Sequence, residues 1–392
     1  MKILQVISTP PFAWETGGCT RVAYDLSKEL VKRGHDVTIL TTDMYKPDMR
    51  YIINNNPEVI DGINIYRFKN ISNKLAWKYY LYTDIGIISF MKKHLKKFDV
   101  VHLHDFRSFQ TIAVMHYCKK YNVPYILQPH GGVLSKNTIN SKVIFDKLFT
   151  FKNFNNCKYL VALNETEKIQ LINYGADANK IMIVNNGINI SDFLNTPPHG
   201  KFRYKYSIDN NTLILLYLGR INKIKGLDLL IDAYSQLIKE VANTELIIVG
   251  PDDGFLKNIK DKIIMLNISD NIIFTGPLYD TEKIEAYVDA DIFILPSYYE
   301  SFGLSAIEAC ACGTPAIVTT GCFIHEIINN NLGLSSATNA TELKETMKNL
   351  LNNIEFRNYF RKHGFDIINS LFSFESVASK FESIYSNINN AK

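Results

Sequence analysis

The feature that most constrains this chain is an alternation that runs its whole length. Short apolar runs rich in Val, Ile, Leu and aromatic residues alternate with stretches of helical spacing. A parallel strand pair needs a crossover long enough to hold a helix, so this grammar builds parallel sheets covered by helices. In the first half, strands are predicted over 3–8, 36–41, 63–68, 100–104, 125–128, 159–163 and 181–184. The stripe Ala23, Leu26, Leu30, stopped by Gly34, predicts a helix after the first strand. The second half restarts with strands predicted over 213–218, 245–249, 272–274, 291–295 and 316–318, and with a helix over 227–239. Val377, Phe381 and Ile384 keep a helical spacing in the tail, 374–387. Between the halves, the turn-rich stretch 194–200 is the best linker candidate. A chain of 392 residues suits two such α/β, doubly wound domains. Ligands of doubly wound sheets sit at the carboxyl ends of the strands, and two facing domains would make a cleft there.

Composition narrows the function classes. Hydrophobic residues make up 46% and charged residues 21%, which excludes disordered, collagen-like and disulfide-scaffold proteins. A net charge of +4 is too mild to argue for nucleic acid as a partner. The six cysteines include no CxxC pair, so buried thiols are expected rather than a zinc site. The apolar run at the N-terminus is too short for a secretory signal, and no run of about 18 apolar residues suggests a membrane span. A cytoplasmic protein is expected.

Three segments could carry chemistry. Ser8-Thr9-Pro10-Pro11, followed by Gly17-Gly18, joins the first strand to the first helix. Glycines there let backbone approach a ligand at a helix start, although a plain strand-to-helix turn reads the same way. It is not a GxGxxG fingerprint, and no GxxxxGK[ST] loop occurs. The second segment is Gly219-Arg220-Ile221-Asn222-Lys223-Ile224-Lys225-Gly226, whose two cations beside a helix start suit a diphosphate, or are simply a solvated basic loop. The third is Glu300-Ser301-Phe302-Gly303-Leu304-Ser305-Ala306-Ile307-Glu308, with one carboxylate in a loop and one just inside a helix. Carboxylates bind sugar hydroxyls and helix-start amides bind phosphate, and the apolar residues Ala306, Ile307, Ala309 and Ala311 argue against an ordinary surface helix.

Taken together, these segments resemble the GT-B glycosyltransferases of the large retaining family four, the glycosyl transferases group 1. Glu300 to Glu308 matches the family's E-x7-E motif, and Gly219-Arg220 with Lys225-Gly226 matches its GR…KG. Gly17-Gly18 matches the N-terminal glycine loop, and Pro129-His130-Gly131 its HG loop. Asn185-Asn186-Gly187-Ile188 with Phe193 resembles the interdomain NG segment. Gly250-Pro251, Gly276 and Gly313-Thr314-Pro315 fall in family order, while Gly321-Cys322-Phe323-Ile324-His325-Glu326 stands where GG-x-PE is usual. The resemblance implies two Rossmann-like domains facing across a cleft: residues 1–190 on the acceptor side, with 374–392 packing back on it, and residues 191–373 binding the nucleotide sugar. It implies that Arg220 and Lys225 hold the departing diphosphate. Glu300, with Ser301 and the amides near Phe302, Gly303 and Leu304, would position the donor sugar. Glu308 would bind the ribose and His130 would sit against the donor sugar. Gly17, Gly18, Asn186 and Gly219 would complete the donor site. No cofactor and no metal is implied beyond the nucleotide-sugar co-substrate.

Two patterns look like metal sites. Asp289-Ala290-Asp291 has the D-x-D form of metal-dependent transferases but sits between a helix end and a strand, which favours a structural role. His102 and His104 share a strand face with no third ligand evident, which favours a polar strand end. Residues 74–82 mix lysines with aromatics and suit either a peripheral contact with the inner face of the membrane or an amphipathic helix with a solvated face. The expected activity is transfer of a hexosyl or N-acetylhexosaminyl group from a nucleotide sugar to a glycan or lipid-linked saccharide acceptor, in cell-surface polysaccharide or glycoconjugate synthesis. The alternatives are a GT-B sugar-nucleotide epimerase and a non-catalytic nucleotide-sugar-binding subunit.

Overall fold

The computed structural model describes residues 1–13, 18–79, 81–132 and 156–390. Of the candidate residues, Gly17 lies outside them. The chain divides into two compact units, Met1–Gly187 with Phe374–Lys392, and Ile188–Ser373. The stretch 194–200 therefore lies inside the second unit, where the Gly200 N–H donates to Asp289 Oδ1 at 2.6 Å.

In the first unit the strands are β1 (Lys2–Val6), β2 (Asp36–Thr42), β3 (Met44–Lys46), β4 (Met49–Arg50), β5 (Glu58–Ile60), β6 (Ile63–Phe68), β7 (Val100–Leu103), β8 (Tyr125–Leu127), β9 (Tyr159–Ala162) and β10 (Ile181–Ile183). Eight of them form one sheet in the order β10-β9-β8-β7-β1-β2-β6-β5, parallel except for β5. β5 and the antiparallel β3–β4 ribbon do not follow from the alternation, since they are only two or three residues long and carry little apolar signal. The central strands are buried on both faces, as parallel strands covered by helices must be. Leu4, Val6, Val101 and Leu103 point to one side, into a core shared with Ile87, Val114 and Met115 of the covering helices.

In the second unit, β11 (Leu213–Leu218), β12 (Thr244–Val249), β13 (Ile272–Gly276), β14 (Ile292–Leu295), β15 (Ala316–Thr319) and β16 (Gly333–Ser336) form one sheet in the order β13-β12-β11-β14-β15-β16. All its pairings are parallel. β16, with the sequence Gly-Leu-Ser-Ser, has one large apolar residue and leaves no readable pattern. Leu215, Tyr217, Leu246, Ile248, Ile292 and Ile294 build a separate core with the helix Leu227–Leu237.

In both sheets the strand order reverses beside the first strand, between β1 and β7 and between β11 and β14. Those reversal points open the crevices in which doubly wound sheets take ligands. The helix Phe374–Asn390 belongs to the first unit. Val377, Phe381, Ile384, Tyr385 and Ile388 are buried, and Glu382 accepts from Arg33 and pairs with His35, each at 2.8 Å. Among the described residues no helix is long and apolar enough to cross a membrane.

Candidate active site

The second unit gathers its candidates at the carboxyl ends of β11 and β14. Chain leaving β11 passes Gly219 and Arg220 into a short turn, Lys223–Lys225, capped by the Asn222 side chain, which accepts from the Ile224 N–H at 3.0 Å. Gly226 ends that turn at φ +67°, and a Cβ there would lie 2.0 Å from the Pro296 carbonyl oxygen. Only glycine lets this turn lie against the loop that leaves β14. Tyr298 N–H of that loop donates to Ile224 O at 2.9 Å, which locks the two segments together. The contact brings Lys225 Nζ onto Glu300 Oε2, with both side chains about one-sixth exposed (17% and 16%). The Glu300 backbone is held by 321–323: its N–H donates to Gly321 O and its carbonyl accepts from Phe323 N–H, each at 2.9 Å. That segment, divergent in sequence, thus serves through its main chain.

Arg220 is turned to the rim. It is 54% exposed and donates to Asp253 Oδ2 at 2.7 Å, an oxygen that also accepts from Asn222 at 3.0 Å. Gly303, at φ +75°, starts the helix Leu304–Ala311, and Ala306, Ile307, Ala309, Cys310 and Ala311 are buried. Phe302 is buried as well, its ring 6.0 Å from that of Phe372, so its side chain is core and only its backbone is available to a ligand. Ser301 lies in the loop and Leu304 in the first helical turn. Glu308 leaves a partly buried side of the helix. Its Oε2 accepts from Lys283 Nζ at 2.8 Å and Tyr287 OH at 3.0 Å.

In the first unit a cavity of about 370 Å³ opens at the end of β1 and β7, with His130 the one candidate among its described lining. Ser8, Thr9, Thr20, Asp105, Arg107 and His130 are among its lining residues. Gly18 begins the helix Gly18–Lys32. The Ser8 N–H donates to Asp105 Oδ2 at 2.8 Å, and burial raises the pKa of that carboxyl. His130 and Gly131 both take left-handed backbone, with φ of 52° and 78°. Their loop is held by Glu167, whose two oxygens accept from Gly131 N–H at 2.6 Å and Leu163 N–H at 2.7 Å. Burial pushes that carboxyl up to about 6.

The His130 ring faces inward. Its Nε2 is 3.0 Å from His104 Nδ1, and His104 Nε2 is 2.6 Å from Gln5 Oε1. His102 meets Tyr385 OH through Nδ1 at 2.8 Å and Gln128 Oε1 through Nε2 at 3.1 Å. Burial depresses His102 to about 3 and His104 well below its usual value. It also holds His130 at about 4. All three imidazoles are therefore neutral at pH 7. Asn186 itself is buried, and its neighbour Asn185 donates to Leu163 O at 2.7 Å.

Both apparent metal patterns are absorbed by structure. Asp289 accepts from Gly200 N–H and Arg203 N–H, at 2.6 and 2.9 Å. Asp291 pairs with Arg203 at 3.2 Å and Arg357 at 2.6 Å. His102 and His104 point into the hydrogen-bond chain just described. Among the described residues no group of three or more His, Cys, Asp or Glu side chains could hold a metal ion.

Lys283, Tyr287, Asp253, Glu167 and Gln5 are site residues that the sequence reading missed. Three left a usable signal. Asn164 followed three residues later by Glu167 has the spacing of a helix cap, which it makes at 2.9 Å. Lys283 and Tyr287 are four apart on the helix Asp280–Asp289 and so share a face.

Comparison with known proteins agrees with this arrangement. Residues 199–366 match the family described as Glycosyl transferases group 1, and residues 16–192 match Glycosyltransferase Family 4. A glycosyltransferase of Methanocaldococcus jannaschii described as uncharacterized is 25% identical over 98% of both chains. A sucrose-phosphate synthase from Thermosynechococcus elongatus shares the fold with a TM-score of 0.76, at 20% identity over the whole of both chains. The Anabaena protein HepE, solved in complex with UDP, does so with a TM-score of 0.76 at 16% identity, over 99% of this chain and all of that one. With both units matched in order and each built as a Rossmann-like α/β domain, the chain belongs to the GT-B glycosyltransferases of family four.

Proposed function

We propose that the protein transfers a hexosyl or N-acetylhexosaminyl group, with retention, from a nucleoside-diphosphate sugar to a glycan or lipid-linked saccharide in cell-surface glycoconjugate synthesis. The observation that carries the donor half of this reading is the Lys225–Glu300 pair at the reversal point of the second sheet. Breaking a sugar–phosphate bond builds negative charge on the diphosphate and positive charge on the anomeric carbon. A lysine beside a carboxylate offers a partner to each. Donor phosphate competes with Glu300 for Lys225, which frees the carboxylate for sugar hydroxyls. Arg220 is the second cation on the diphosphate, Glu308 takes the ribose, and no metal is needed to balance the charge. The relative solved with UDP makes a uridine nucleotide the first donor to try.

A surface feature supports a membrane-held acceptor. Ten of the 24 large apolar side chains exposed among the described residues lie within 49–85. In the helix Asn73–Tyr79, Leu75, Trp77 and Tyr79 are exposed beside Lys74 and Lys78, while Asn73 and Ala76 are the buried residues. An outward apolar face flanked by lysines suits an anionic lipid surface at the cytoplasmic side.

The test is incubation with UDP-, ADP- and GDP-hexoses without acceptor. Slow release of nucleoside diphosphate from one of them is expected. Conversion to an epimeric sugar nucleotide without release would assign an epimerase instead. Tight binding without turnover, with or without acceptor saccharides, would assign a binding subunit.

A further inference from the structure

Each carboxylate of the Glu300/Glu308 pair holds its own lysine. Lys225 comes from the turn after β11, whereas Lys283 comes from the helix Asp280–Asp289. The Lys283–Glu308 contact is 2.8 Å and as sheltered as the other pair, with 17% and 16% exposure. Tyr287, one turn further along the same helix and fully buried, donates to the same oxygen, Oε2, at 3.0 Å. No described residue hydrogen-bonds Oε1. A carboxylate has about four acceptor sites. Two donors on one oxygen fix the rotation of the group and leave the other oxygen to present its lone pairs in one direction.

We propose that Lys283 is a positioning residue of the nucleotide site: together with Tyr287 it fixes Glu308 so that Oε1 accepts the hydroxyls of the donor's ribose. The inference rests on the placement of Glu308 at the ribose made above. Its chemistry is specific. Hydrogen bonds from ribose hydroxyls to a carboxylate are about twice as strong as those to a neutral acceptor. Without Lys283, Tyr287 alone leaves Glu308 free to turn, and the ordering has to be supplied when the nucleotide binds. Lys283 touches neither sugar nor phosphate in this scheme, so its loss weakens binding and spares the chemical step.

A plain helix-to-helix pin would have the same geometry, so the experiment must read the ribose. Calorimetry on the full chain uses whichever of UDP, ADP and GDP binds most tightly, with its 2′-deoxy counterpart and inorganic pyrophosphate as probes lacking ribose hydroxyls. Lys283→Met is expected to weaken the ribonucleotide about tenfold. It should weaken the deoxynucleotide less and leave pyrophosphate within twofold, with kcat also within twofold. Lys283→Arg should restore most of the affinity. In a Glu308→Gln background, Lys283→Met should add no further loss. Equal weakening of all three probes, or none, overturns the proposal and leaves the pair as a structural pin. If Glu308→Gln itself leaves ribonucleotide binding unchanged, the earlier placement of Glu308 fails instead. If none of the three nucleotides binds the unmodified chain, the nucleotide reading falls and this inference falls with it. Should Lys283→Met melt early, Lys283→Gln, which keeps a donor of similar length without the charge, carries the same comparison.

Discussion

The two units put polar groups at the same topological point but treat charge in opposite ways. At the end of β1 and β7, the buried His102 and His104 and the partly buried His130 lie against one another, Gln5, Gln128 and Tyr385, and among the described residues no carboxylate hydrogen-bonds to any of the rings. Desolvation then wins and the rings are neutral. At the end of β11 and β14, Lys225 meets Glu300 and Lys283 meets Glu308, each pair partly open to water. There the opposite charge offsets the cost of partial burial. The difference teaches a division of labour. A neutral hydrogen-bond chain can hold a loop and orient a substrate, but it cannot stabilise a leaving diphosphate. The lysines can.

The sharpest way to break that contrast is Lys225→Ala. Removing a preorganised cation that faces a leaving group costs about 100-fold or more in turnover. The fold should persist, because Lys225 sits in a short turn with no buried residue, outside the core of the sheet. Turnover near the unmodified rate in a folded variant would remove the distinction between the units. Arg220→Ala should lose less, since its exposed guanidinium is already shared with Asp253.

The first unit should answer to acid. An unfolded histidine titrates near 6.5, whereas these three stay neutral in the fold down to about 4 or below. Between those values the unfolded chain binds more protons, so stability falls as pH falls, by about 1.4 kcal/mol per histidine per pH unit. Glu167 and Asp84 act in the opposite sense. Burial raises each to about 6, so the folded state gains from their protonation and offsets part of the loss. Calorimetric melting between pH 7 and pH 5 should show a net decline, and His104→Asn should make it shallower. An unchanged melting temperature over that range would mean that the rings are not held neutral.

Chelation should have the smallest effect. If Arg220 and Lys225 balance the diphosphate, EDTA changes the rate by less than about twofold. Loss of activity with EDTA and its return with Mg²⁺ or Mn²⁺ would move the charge balance to a metal.

The sequence determined the alternation of strands and helices, the restart at β11 and the E-x7-E and GR…KG spacings, because these are local patterns that the backbone must obey. It favoured a structural role for Asp289 and Asp291, because they sit between a helix end and a strand. What it did not show lies across space. Lys283 reaches Glu308 from 25 residues away, and Gln5 reaches His104 from 99. No periodicity records such pairs, because packing and not chain proximity brings them together. The same holds for surface and interior. Residues 74–82 read as a mix of lysines and aromatics, and only the inward packing of Asn73 and Ala76 turned Trp77 and Tyr79 out. Phe302 read as part of the donor loop, and only packing, with its ring edge-to-face with Phe372, made it core. Sequence fixes which residues a strand end carries. Tertiary structure decides which of them are desolvated and beside what, and that sets their charge.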